Sequence, residues 1–127
     1  MIPEAFVHLL ERPLYGALGT VGRGNTARVS PMWFEFDGEF IRFTHTTKRA
    51  KYRNLQQNPS MSLVVFDPDR PTHYIEVIGH LAEVPADPTA SFFLRLARRY
   101  GDADPTVPAD STDRVILTMA IDRVVGQ

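Results

Sequence analysis

The chain contains no cysteine, which excludes a disulfide framework, a thiolate zinc site and a thiol redox couple. No stretch approaches the ~18 consecutive apolar residues that a membrane helix needs. Charge of one sign is not in excess either, since 14 basic and 15 acidic residues leave a net charge of -1. Such a balance creates no global field to draw in nucleic acid or an anionic membrane, so any anion site must be local. The opening residues, MIPEAFVHLLERP, carry charges through their apolar stretch and lack the cationic start and small-residue cleavage site of a signal peptide. Together with the missing cysteine, this leads us to expect a reducing, cytoplasmic setting. There is no Gly-x-Ser-x-Gly elbow, Walker loop or Gly-x-Gly-x-x-Gly fingerprint, and Gly22-Arg23-Gly24 lies in a turn with no helix after it. Serine hydrolase, P-loop and Rossmann chemistries are therefore poor fits. His8, His45, His73 and His80 lack His-x-x-x-His spacing and a carboxylate cluster beside them, so no metal site is expected.

With 127 residues, 43% hydrophobic and 23% charged, the sequence reads as one globular domain spanning 1–127. Phe6, Leu9 and Leu10 at helical spacing predict a short helix over 3–11 that Pro13 ends. Strands are expected at 14–21, 27–36, 39–44, 60–66, 73–84 and 114–125. Asp37-Gly38 suggests a type I′ hairpin turn. A helix capped by Thr46 or Thr47 and starting near Lys48 should run to Leu55, before Asn58-Pro59. Asp87-Pro88 supplies an N-cap and N1 pair for a third helix ending near Tyr100. Six strands joined mostly by tight turns imply a small closed or nearly closed barrel, because an open sheet of this size would leave its edges exposed.

The densest chemistry lies in residues 44–54. The start of a helix presents free N–H groups and a positive dipole end, to which Lys48, Arg49, Lys51 and Arg53 add side-chain charge and Thr44, Thr46 and Thr47 add hydroxyls. Cations at a helix N-terminus oppose the macrodipole by roughly 0.3–1 kcal/mol each unless an anion is present. A phosphate or carboxylate cradle fits this pattern, and so does a solvated basic run. Val29-Ser30-Pro31-Met32-Trp33-Phe34 is the second feature, because a proline in a strand removes a ladder donor and belongs at an edge or bulge. Trp33, the only tryptophan, reads as a core or dimer-interface aromatic, or as one wall of a site for a planar ring. His45 follows the strand that leads into the basic helix, whereas the other histidines read as surface or satisfied core.

These segments resemble the pyridoxamine 5′-phosphate oxidase-like split β-barrel proteins, and among them the deazaflavin (coenzyme F-420)-dependent reductase branch. The resemblance covers nearly the whole chain. It runs through Leu18-Gly19-Thr20, the segment Arg28 to Phe34, Asp37-Gly38, Phe43-Thr44, Lys48 to Leu55, Asn58-Pro59, Ser62 to Val65 and Tyr74 to Gly79. Its most specific piece is Lys51-x-x-Asn54-Leu55-x-x-Asn58-Pro59. The resemblance implies a mainly β, six-stranded Greek-key split barrel with short helices, working as a homodimer with one cofactor in each of two sites at the subunit interface. It also implies that Ser30, Pro31, Met32 and Trp33 lie against the tricyclic ring. Arg49 and Lys51 would grip the phosphate, with Thr44, Thr46, Arg53 and Asn54 around them. The expected activity is hydride transfer between the cofactor and a small organic acceptor. No residue stands out as a dedicated general acid, and the loops at 67–72 and 101–112 are expected to shape the substrate opening.

FMN shares the ring and phosphate, but F-420 carries a lactyl-oligoglutamate tail that the surplus of basic residues suits, so F-420 is expected and FMN is the alternative. The pyridoxamine phosphate oxidase reaction itself is disfavoured by the short chain and the lack of a C-terminal substrate motif. A non-catalytic cofactor store or a haem-binding relative is a reading from another class. A nucleic-acid-binding barrel is disfavoured, because the basic residues are confined to one helix.

Overall fold

The computed structural model describes residues 2–127. Helix α1, Glu4–Glu11, buries Leu9 and Leu10 completely. Strand β1, Gly16–Val21, is followed by a tight turn in which Gly24 and Asn25 take left-handed φ values of 67° and 61°, a conformation that glycine and asparagine tolerate best. Strand β2, Ala27–Met32, returns antiparallel to β1.

The expected strand at 27–36 is divided. Only Glu35–Phe36, strand β3, continues as ladder, and it pairs with β4, Phe40–Thr46, instead of β1. The break falls at Trp33 and Phe34. The Phe34 N–H donates to the Tyr100 hydroxyl at 3.0 Å, and its carbonyl accepts from Arg99 Nε at 3.1 Å. A backbone unit whose donor and acceptor are both satisfied by side chains does not need a ladder partner. The hydroxyl of Tyr100 passes its own proton to the Leu14 carbonyl at 2.8 Å.

The Asp37-Gly38 turn also differs from the type I′ form. Only Gly38 has positive φ, at 98°, while Asp37 Oδ1 accepts from the N–H groups of Glu39 and Phe40 at 2.8 and 2.7 Å. The aspartate side chain thus does the work that a second left-handed residue would otherwise do.

Helix α2, Ala50–Gln57, starts two residues later than the sequence suggested, after a turn in which Thr46 Oγ1 accepts from the Lys48 N–H at 3.3 Å. Strands β5, Ser60–Asp67, and β6, Arg70–Glu83, form a long hairpin. Helix α3, Ser91–Arg99, begins only after Ala90, which is left-handed with φ 59°. Asp87 still caps it from outside, accepting from Phe92 N at 3.3 Å and Phe93 N at 3.2 Å. Strand β7, Arg114–Gly126, completes the sheet.

The sheet has seven strands in the order β2-β1-β5-β6-β7-β4-β3, one more than the six expected, because the divided run contributes two. Every pairing is antiparallel. Its two outermost strands, β2 and β3, are separated in the chain only by Trp33 and Phe34, so the sheet curls round until its edges adjoin. The resulting barrel is filled by Leu18, Phe34, Ile41, Phe43, Leu63 and Leu117, all fully buried, each stabilising the fold by roughly 1.5–3 kcal/mol. Gly79 permits the tight contact between β6 and β7, because a Cβ there would lie 1.9 Å from the Ala120 carbonyl oxygen.

Candidate functional site

Helix α2 enters against β2 with a bare N-terminus. It has no side-chain cap and no acidic residue in its first turn, the reverse of the usual preference. Alternation along β2 points Arg28, Ser30 and Met32 to one side, and together with Arg49, Lys51 and Asn54 they line a chamber of about 470 Å³. No carboxylate borders it. Lys51 crosses from α2 to donate from Nζ to Ser30 Oγ at 2.7 Å. Its burial, and then the charges of Arg49 and Arg28, push its pKa below the ordinary lysine value, as expected for a cation held among cations with nothing to neutralise it.

Pro31, Met32, His45 and Arg49 also border a second chamber of about 250 Å³, lined further by Tyr15, Trp33, Phe93, Thr44 and Arg114. Trp33 stacks on Tyr100 with ring centroids 5.2 Å apart and planes 11° from parallel, and tilts against Phe93 at 6.3 Å. Arg114 is steered over the Phe93 ring, 4.6 Å from its centroid, by Asp110 at 3.1 Å and the Thr44 hydroxyl at 3.3 Å. One chamber is therefore cationic and hydroxyl-lined and the other aromatic, with a common wall.

Ser30, Pro31, Met32, Arg49, Lys51 and Asn54 meet at the cationic chamber, while Trp33 and Thr44 border the aromatic one. Two anticipated residues lie elsewhere. Thr46 is 3% exposed, spends its hydroxyl on the Lys48 turn and borders neither chamber. Arg53 folds back to donate to the Lys48 carbonyl at 3.1 Å and lines a neighbouring polar hollow with Arg23, Asn25 and Gln57, which Asn54 connects to the cationic chamber. Arg28, Tyr15, Phe93 and Arg114 were not singled out from the sequence. Alternation along β2 from Ser30 and Met32 reaches Arg28, whereas Tyr15 comes from the loop before β1, Phe93 from α3 and Arg114 from the start of β7, with no local signal.

Of the histidines, His8 and His73 face each other under α1 at 3.3 Å and His80 pairs with Asp122 at 3.0 Å. His45 is 2% exposed in the wall shared by both chambers. Among the described residues, no group of three or more His, Cys, Asp or Glu could hold a metal ion, and no helix is long and apolar enough to cross a membrane.

The pyridoxamine 5′-phosphate oxidase family model matches residues 2–127. The chain belongs to this family. A solved structure described as an F-420 reductase is 48% identical, with a TM-score of 0.95, covering 99% of this chain and 100% of that one. A conserved hypothetical protein from Mycobacterium tuberculosis superposes with a TM-score of 0.79 at 22% identity, covering 99% and 84% of the two chains. General stress protein 26 from Bacillus anthracis gives 0.72 at 16% identity, covering 97% and 91%. At such identities these last two share the fold alone. No curated protein matches the chain. The split barrel implied by the sequence segments is thus the family's fold, and the F-420 branch of the resemblance agrees with the 48% identical structure.

Proposed function

We propose that this protein is a coenzyme F-420-dependent oxidoreductase that moves a hydride between the deazaflavin and a small organic acceptor. The observation that carries the reading is the convergence of Arg28, Arg49 and Lys51 on one chamber that no carboxylate borders, beside the uncapped start of α2. Such a cluster is self-repelling when empty and becomes favourable with an anion inside it. The 48% identity to a protein described as an F-420 reductase supports the choice of anion.

In this reading Arg28, Arg49, Lys51 and the α2 amides hold the phosphate, with Ser30 and Asn54 beside them. Pro31, Met32 and Trp33 form the wall for the ring, and Thr44 and Arg114 border the same space. Arg53 and Arg23, in the adjoining hollow, offer charge to an acidic tail, and Thr46 shapes the turn ahead of α2. When bound, the deazaflavin supplies the hydride chemistry. The chain's residues position it and exclude water through the aromatic wall. The outer side of the barrel presents an apolar depression of about 410 Å³ that includes Gly19, Met61 and Ile78, with Val29 72% exposed at its rim and Arg28 shared with the cationic chamber. This supports a homodimer with its sites at the interface.

The test is a side-by-side titration of F-420 and FMN, followed by cofactor fluorescence. Tight F-420 binding that collapses in an Arg49→Ala, Lys51→Ala double variant supports the proposal, and oxidation of reduced F-420 by a panel of conjugated acceptors then tests turnover. Preference for FMN would move the protein to the flavin-dependent members of the family. Binding of neither would overturn the cofactor reading.

A further inference from the structure

Two buried side-chain polar atoms among the described residues lack any hydrogen-bond partner, Nε2 of His45 and Oγ1 of Thr118. Thr118 is fully buried and lines none of the chambers. His45 differs in its setting. It is the last of the alternating buried residues Ile41, Phe43 and His45 of β4, and it borders both the cationic and the aromatic chamber while remaining buried. A polar side chain buried without a partner is costly to the fold, and here it sits where a ligand spanning both chambers would pass.

We propose that His45 is a cofactor-contacting residue that hydrogen-bonds a polar edge of the bound heterocycle, leaving the phosphate to Arg28, Arg49 and Lys51. The inference rests on the cofactor reading above and adds to it the group that recognises the ring. Electrostatics decide between ring and phosphate as the partner of this imidazole. Burial first, and then the charges of Lys51, Arg49 and Arg114, push its pKa down to about 4, so at neutral pH the ring is uncharged. An uncharged imidazole is a weak partner for a phosphate, for which an imidazolium would serve better. It offers instead one N–H and one lone pair, and these match the alternating carbonyl and N–H groups along the amide edge of a flavin or deazaflavin. Two of the three cations that suppress its protonation, Arg49 and Lys51, are also groups that would hold the anionic end of the same ligand, so charge and uncharged polarity are divided between them by position.

The experiment compares wild type with His45→Leu and His45→Gln, reading F-420 and FMN affinity by fluorescence and the thermal shift given by inorganic phosphate. Loss of one ring hydrogen bond should weaken cofactor binding in His45→Leu by about tenfold. His45→Gln, which keeps a donor and an acceptor, should recover most of it. The phosphate shift should be unchanged in both, and cofactor-free His45→Leu should melt at or above the wild-type temperature, since it removes an unpartnered nitrogen. If His45→Leu does not fold, His45→Phe reads the same outcomes with the ring volume retained. Wild-type cofactor affinity in the apolar variant, or an equal loss for phosphate and cofactor, would overturn the assignment. Failure of wild type to bind either cofactor would instead remove the reading on which it rests.

Discussion

Lys51 Nζ lies 2.7 Å from Ser30 Oγ, so the first turn of α2 is tied to the edge strand β2 by a cation donating to a hydroxyl. The lysine has no acidic partner there and stands with Arg49 and Arg28. Replacing it by methionine should weaken F-420 binding by at least about tenfold, the scale of one charge-assisted hydrogen bond. The same change should raise the melting temperature of the cofactor-free protein, because a self-repelling cluster loses a member. Calorimetric titration and thermal scans of Lys51→Met check both arms, and a drop in the cofactor-free melting temperature would show that the lysine is structural.

Acid should destabilise the fold through His45. In the unfolded chain this side chain takes up its proton near 6.5, whereas the folded protein resists protonation until about 4. The stabilisation is complete above 6.5 and is lost as the pH falls from there towards 4, amounting to about 3 kcal/mol at most. Urea unfolding measured at intervals between pH 7.5 and 4.5 should show this decline in wild type and a flatter profile in His45→Leu.

Tyr100→Phe deletes a hydroxyl that accepts from Phe34 N–H and donates to the Leu14 carbonyl. Both backbone groups would be stranded in a half-buried place, at a cost of about 1–3 kcal/mol. The ring that backs Trp33 would remain, so cofactor affinity should fall less than stability. Parallel denaturation and binding curves separate the two effects.

Gly79→Ala places a methyl group 1.9 Å from the Ala120 carbonyl oxygen, which is backbone and cannot swing aside. The β6–β7 register already shifts between Ile78 and Gly79. The variant should lose about 1–3 kcal/mol through forced separation of the strands, read as a lower denaturant midpoint.

Periodicity and punctuation carried most of the fold, and the basic run at 48–53 carried Arg49 and Lys51 of the cationic chamber, though not Arg28. What escaped the sequence has a common physical origin in partners distant along the chain. The run at 27–36 alternates like one strand, yet it breaks at Phe34 because Tyr100 and Arg99, on and beside a helix more than sixty residues later, satisfy its backbone. Asp87 looks like an N-cap and acts as one, but the helix begins after Ala90 because a turn with a left-handed residue intervenes. Thr44 and Thr46 look equivalent on paper. Only the first borders the aromatic chamber, because the second closes the turn that leads to α2. Arg114 reaches the site through its register opposite Thr46 on β4, a pairing that no local pattern announces.

The break between β2 and β3 also bears on how the molecule moves. A barrel sealed only by a ladder can gape by fraying that ladder, but here the two rims are joined covalently by a strap of two residues. Trp33 and Phe34 form that strap, and Trp33 lines the aromatic chamber beside Pro31 and Met32, the last residues of β2, which border both chambers. Gaping would have to drag Trp33 off Tyr100 and Phe34 out of the interior, so a ligand bracing this wall also holds the barrel shut, and occupancy and mechanical rigidity rise together.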